Sequence, residues 1–246
     1  MKIRQIIVIA LVALLAAGCG AVNRSIQIDD GEQVEGDVRN VNGAIRIGSN
    51  CSISGAVRNV NGAILMGAGT QTGNIRNTNG TIELAENVQV GGIRNTNGRI
   101  RVGQGSRVEG DIENTNGAIE LAEETSVAGF VQTTNGPIRA GAGSAIDGQV
   151  STMNGPIELT ASRAGSIAGA NGSIGLLEGT VIEGEIHMRD TRGTTVSARP
   201  RIIIGADSVV EGPIRIEREV ELYVHETART GEISGAEAIR FSGERP

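Results

Sequence analysis

Ile75-Arg76-Asn77-Thr78-Asn79-Gly80-Thr81-Ile82-Glu83-Leu84 returns eighteen residues later as Ile93-Arg94-Asn95-Thr96-Asn97-Gly98-Arg99-Ile100-Arg101-Val102. Repetition at a fixed period bears on architecture before any local propensity is weighed. Working outward, Asn-Gly dipeptides start at Asn42, Asn61, Asn79, Asn97, Asn116, Asn135, Asn154 and Asn171, so the interval stays between seventeen and nineteen throughout. Asn23 begins an earlier copy in which Arg24 replaces the glycine.

Alignment of the copies produces columns. Three residues past each Asn stands an isoleucine: Ile26, Ile45, Ile64, Ile82, Ile100, Ile119, Ile138, Ile157 and Ile174. Two further on come Ile28, Ile47, Met66, Leu84, Val102, Leu121, Ala140, Leu159 and Leu176. A third column runs Val34, Ile53, Thr72, Val90, Val108, Val127, Ile146, and a fourth Val38, Val57, Ile75, Ile93, Ile112, Val131, Val150. Between these two recur Gly36, Gly55, Gly73, Gly110, Gly129 and Gly148.

Apolar and polar residues alternate within each copy, as in Ile45-Arg46-Ile47, which is the period of a strand with one face inward. Glycine density and the missing 3.6-residue pattern exclude helices. Each copy reads as three short strands with glycine supplying positive φ at the bends. The expected fold is all-β: a single-stranded parallel β-helix of triangular section, right-handed, with about 18–19 residues per coil. Ten to twelve coils at ~4.8 Å make a rod on the order of 50 Å. Alternation places Asn40, Asn59, Asn77, Asn95 and Asn114 in one internal ladder and Asn42 to Asn171 in another, hydrogen-bonded from coil to coil.

Composition narrows the function. Thirty-seven glycines against two Phe, one Tyr and no Trp argue against an aromatic core. The net charge of −6 becomes −8 without Lys2 and Arg4 (20 basic against 28 acidic residues), which excludes nucleic acid as a partner by bulk charge. His187 and His225 fall in different coils, so neither a zinc cluster nor any other metal or cofactor site is expected. A regular coil also offers no cleft for catalysis, so no catalytic residues are assigned and the protein is not expected to be an enzyme.

The N-terminus reads as an export signal. Lys2 and Arg4 precede an apolar run from Ile6 to Ala17, shorter than the ~20 residues needed to span a bilayer. Leu15-Ala16-Ala17-Gly18-Cys19 resembles the bacterial lipobox, which implies cleavage after Gly18 and lipidation of Cys19. Residues 19–22 then form a short tether, and the membrane is a partner through the lipid. Gly20, rather than Asp, implies the outer membrane by likeness to the Gram-negative sorting rule. Cys51 remains as a free, semi-buried thiol.

The regular solenoid spans 23–188, a polar insertion 189–200, and further coils with a cap 201–246. Within the last part, Ile202, Ile204, Val210 and Ile214 are the inward positions. Gly205-Ala206-Asp207-Ser208-Val209-Val210-Glu211-Gly212-Pro213-Ile214 and Glu178-Gly179-Thr180-Val181-Ile182-Glu183-Gly184-Glu185-Ile186 resemble the repeat of the bactofilins, polymer-forming scaffold proteins with a right-handed β-helix. The Thr-Asn-Gly-Xaa-Ile repeats resemble adhesin-like envelope solenoids. These likenesses imply a non-catalytic rod with the capacity for self-association.

Two outward columns carry charge. Arg46, Leu65, Glu83, Arg101, Glu120, Arg139 and Glu158 alternate in sign from Glu83 onward, a pattern that keeps register. Arg39, Arg58, Arg76 and Arg94 instead repeat one sign, which is costly without counter-ions and makes a candidate polyanion stripe. Three readings stay open: a structural scaffold, a binding module for an anionic envelope glycan or an envelope protein, and a carbohydrate-active enzyme.

Overall fold

The computed structural model describes residues 24–190, 199–243 and 246. The signal segment, Cys19, the tether and most of the insertion therefore lie outside the described residues.

Within them the chain is all-β, with parallel strands stacked as a solenoid of about 11 turns. One turn runs Val57–Asn61, Ile64–Met66 and Gln71–Thr72, three strands joined by three corners. The strand that follows each Asn-Gly joins a 12-stranded sheet from Ile26–Ile28 to Ala238–Phe241. Its first column pairs in register, Ile45 with Ile64, Ile64 with Ile82, Ile82 with Ile100 and Ile100 with Ile119. All five side chains are fully buried, so the isoleucine column is the spine of the core. The expected period does not persist beyond Ile174. That residue pairs with Ile202 across a long turn that contains the insertion, and the rungs that follow, Ile202 with Leu222 and Leu222 with Ala238, are unequal in length.

Each corner satisfies its backbone by a different device. At the first, the glycine column extends without a gap through Gly91, Gly165, Gly184, Gly212 and Gly231. The expectation of positive φ there is corrected: only Gly36 in this column has it. Close approach is the reason for the rest, since a Cβ on Gly55 would lie 2.3 Å from the carbonyl carbon of Gly36, and one on Gly148 2.6 Å from the oxygen of Gly129. Positive φ occurs instead at the other two corners: at the Asn-Gly corner, in Gly62, Gly80, Gly98 and Gly117, and at the third, in Asn50, Gly69, Asn87, Gly105 and Glu124 among others.

At this second corner the two Asn columns divide their work, which corrects the expectation of two internal ladders. Asn59, Asn77, Asn95 and Asn114 are buried, and their Nδ2 atoms donate to the carbonyls of Gly43, Gly62, Gly80 and Gly98 at 2.8–3.0 Å rather than to one another. The Asn42 to Asn171 series does bond from turn to turn, but on the surface. Each Nδ2 donates to the Oδ1 one turn earlier, at 2.8–2.9 Å, from Asn61 through Asn171. All bonds point the same way, so the amide dipoles add and the acceptor end falls at Asn171. There the Arg218 guanidinium donates to Asn171 Oδ1 at 2.8 Å, placing a cation at that end.

Sequence reading missed the third corner. Cys51, Thr70, Val88, Ser106, Thr125, Ser144, Ser162, Thr180 and Ser208 form a buried column of small side chains. Their hydroxyls donate to corner carbonyls, Thr70 to Gly48 at 2.8 Å, Ser106 to Ala85 at 3.1 Å, Ser144 to Ala122 at 2.9 Å and Thr180 to Leu177 at 2.7 Å. Cys51 occupies the same column, fully buried rather than semi-buried, and its thiol donates to the Asp29 carbonyl at 3.1 Å. Each lies two residues before the third apolar column and continues its alternation, as in Ser106 inward, Arg107 outward and Val108 inward, but Ser and Thr are polar and do not read as core positions.

The two Asn columns should respond differently to truncation. Asn97→Ala removes two exposed side-chain bonds and is expected to cost about 1–2 kcal/mol. Asn95→Ala orphans the Gly80 carbonyl inside the corner and opens a void, for about 2–3 kcal/mol. Urea denaturation of both variants checks the order; equal costs would contradict this division of roles.

The C-terminal part was expected to end in a cap of uncertain register. Its inward Ile202, Ile204, Val210 and Ile214 are fully buried, as expected. Beyond them Glu221–His225 and Ala238–Phe241 continue the 12-stranded sheet, the last of them with no fully buried residue. In the last rung Arg240 pairs with the inward Val224, so a charged residue occupies a core column at the end of the rod. Phe241 meets the His225 ring edge-on, with centroids 5.1 Å apart.

Candidate functional site: an arginine stripe and its hollow

The outward columns are placed as alternation requires. Arg101 pairs in register with Glu83 and Glu120, and Arg139 with Glu120 and Glu158. Yet in this column only Arg101 and Glu120 close to an ion pair among the described residues, at 3.0 Å. Its alternation thus acts mainly by keeping like charges apart.

Arg39, Arg58, Arg76 and Arg94 fall in one column on four successive turns, followed by Glu113. Their side chains alternate with buried neighbours, so all four point to solvent. Part of the counter-charge that such a row needs comes from the chain itself. Asp37, at the first corner, pairs with Arg39 at 2.6 Å and with Arg58 at 3.8 Å, while Glu113 pairs with Arg94. Arg76 alone among the four has no carboxylate partner among the described residues.

Asp37 is held below the ordinary carboxylate value. The main cause is the Ala56 amide, which donates to Asp37 Oδ1 at 2.8 Å, and the Arg39 guanidinium adds to it. A lowered folded pKa means that this interaction is present above the ordinary value of 3.8 and is lost as pH falls through the folded one. Carboxyl NMR titration of Asp37 is therefore expected to show a midpoint below 3.8. Arg39→Ala should raise that midpoint only in part, since the Ala56 amide remains. A full return to the ordinary value would contradict the backbone contribution.

Beside Arg76 the surface is hollow. About 290 Å³ is bounded by Asn74, Arg76, Gly92, Arg94, Gly110, Asp111 and Glu113. The position preceding the fourth apolar column holds Asp37, Ala56 or Phe130 in other turns but Gly92 here, in a turn flanked by those of Gly73 and Gly110. A second hollow, of about 350 Å³, borders Arg163, but there Asp147 and Glu183 already hold the guanidinium. Sequence columns revealed the stripe and not the hollow, which needs two glycine-bearing turns to lie side by side.

Alongside the stripe, two residues further along the strands, runs an exposed rank of Val41, Val60, Thr78, Thr96 and Thr115. Methyl groups thus flank the guanidinium row on its far side. At the base of the insertion, His187 Nε2 lies 2.9 Å from Glu217 Oε1, and the Asp190 amide donates to the same carboxylate at 3.2 Å. These contacts, the His187 bond foremost, lower the Glu217 pKa. Among the described residues, no three His, Cys, Asp or Glu side chains group in a way that would hold a metal ion. No family model, curated protein or solved structure matches this chain.

Proposed function

We propose that this protein is a non-catalytic structural rod of the bacterial cell envelope, anchored to the outer membrane by lipid on Cys19. The observation that carries the reading is where the polar side chains spend their bonding capacity. In seven successive turns the Asn42 to Asn171 ladder bonds one turn to the next, while buried Asn side chains take the glycine carbonyls of the same corner and hydroxyls take carbonyls at the third. Such a chain is built to hold a length and a surface. About 11 turns at ~4.8 Å give a rod of about 50 Å.

End-to-end growth through the C-terminal rung is disfavoured in this reading. A second molecule stacking there would bury Arg240, and inward-pointing charge is a recognised protection of sheet edges. Self-association would then run laterally, along the flat faces. Light-scattering mass and negative-stain electron microscopy of the lipid-free chain test this, with short rods of uniform length expected. Filaments many rod-lengths long would overturn it, as would turnover of a polysaccharide. For the anchor, Cys19→Ser is expected to abolish metabolic labelling by palmitate and release the chain from membranes; unchanged labelling would remove the lipid from the account.

A further inference from the structure

Arg76 and the hollow beside it are left unexplained by a purely structural rod. Turn-to-turn stacking needs nothing from them. Every other arginine of the stripe has its charge answered by Asp37 or Glu113. The hollow lies beside Gly92, and the residues around it mix donors with acceptors: Arg76, the Arg94–Glu113 ion pair, Asn74, and Asp111, whose Oδ1 already accepts from the Phe130 amide at 3.0 Å.

That mixture selects a chemistry. A dense polyanion, such as a polyphosphate or nucleic acid, would meet Asp111 and Glu113 as repulsion, and the hollow has no aromatic platform for a base. A neutral polyol would leave the Arg76 charge unanswered. A sugar carrying one carboxylate meets both needs, because its anion can take the planar guanidinium in two parallel bonds and its hydroxyls can donate to Asp111 and Asn74. The volume lies at the lower bound of small-molecule pockets, about 300 Å³, which suits one ring rather than an extended ligand held within the hollow.

We propose that this hollow binds one uronate-type residue of an acidic polysaccharide, with its carboxylate on Arg76 and its hydroxyls on Asp111 and Asn74. The rest of the chain lies along the rod axis, over Arg58 and the methyl-bearing rank of Val60 and Thr78. Sugar rings present C–H faces, and Val60 is 39% exposed, so this rank offers an apolar track beside the charges. Arg58 keeps only a long contact to Asp37, 3.8 Å, and is free to turn toward the ligand. The geometry used here is independent of the anchored-rod reading, which mass and microscopy decide separately.

The test uses the full chain and a galacturonate hexamer, titrated by calorimetry at low and high salt. Saturable binding that weakens with salt is expected, since exposed charges are screened over ~8 Å at physiological ionic strength. The fully methyl-esterified hexamer, equal in shape but uncharged, is expected to bind at least tenfold more weakly. Arg76→Ala should cost about tenfold or more, as loss of a charge-assisted contact does, and Arg76→Lys should recover only part of it. Arg163→Ala, on the other hollow, should change nothing. Thermal unfolding of Arg76→Ala should match the parent, because the side chain is exposed and makes no ion pair among the described residues. Equal binding of the ester, undiminished binding by Arg76→Ala, or full competition by inorganic phosphate or by anionic vesicles would overturn the proposal.

Discussion

Gly98→Ala is expected to destabilise the solenoid by about 3 kcal/mol or more, because strain and collision act on the same atom. Gly98 has φ +126°, a conformation that side chains rarely adopt, and its added Cβ would sit 2.3 Å from the Gly80 oxygen. That oxygen is also the acceptor for buried Asn95, at 3.0 Å, so relief of the clash would pull the inner Asn off its partner. The Gly98 carbonyl in turn accepts from Asn114 at 2.8 Å, and the disturbance reaches two turns. Gly36→Ala is the matched control: its φ is +88°, but nothing lies within 4 Å of the new Cβ. Strain alone, about 1–2 kcal/mol, is expected there. Urea denaturation followed by amide hydrogen exchange reads both the size of the loss and the turns affected, which matters because long repeat arrays can unfold in parts. Equal losses at the two glycines would mean that the close stacking of corners contributes nothing.

Ile100→Ala is expected to cost about 4 kcal/mol, in the upper half of the ~2–5 kcal/mol range for buried truncations. That range reflects how far a site can collapse around a cavity. Here collapse is opposed from both sides, since Ile82 and Ile119 are fully buried in the same column and their strands are held in register by main-chain hydrogen bonds. Rungs cannot approach closer than their bonding distance, so the void stays open. Ile239→Ala, at a position 50% exposed on the last rung, should change stability by less than about 0.5 kcal/mol. If Ile100→Ala cost no more than about 1 kcal/mol, the column would be able to repack and the rigid-rung account would fail.

How much of this was legible depends on the range over which each feature is specified. Strand positions could be read directly, because alternation puts Ile45 and Ile47 inward and Arg46 outward whatever the rest of the chain does. Register follows from the period, which by itself makes the four stripe arginines neighbours. Corners were harder. The buried hydroxyl column from Thr70 to Ser208 continues the alternation of the third apolar column two residues earlier, but its polar residue types give no hydropathy signal to distinguish it from surface Ser and Thr. The last turns also resisted, because the steps from Ile174 to Ile202, from Ile202 to Leu222 and from Leu222 to Ala238 share no period.

Sequence by itself determined the architecture: a repeat of nearly constant length with apolar residues at alternate positions has one solution that buries them all, strands wound and stacked with their apolar faces inward. It also determined which side chains share a column, since stacking turns period into adjacency. Only the tertiary structure decided what adjacent groups do to one another. Asn42 to Asn171 became a surface ladder and Asn59 to Asn114 an inner brace, because a single residue of separation across a corner sends one amide to the neighbouring amide and the other to a glycine carbonyl. Asp37 and Glu113 answered three of the four stripe arginines and left Arg76 beside a hollow. Such pairings depend on angles and distances of a few ångströms at the bends, which a one-dimensional period does not encode.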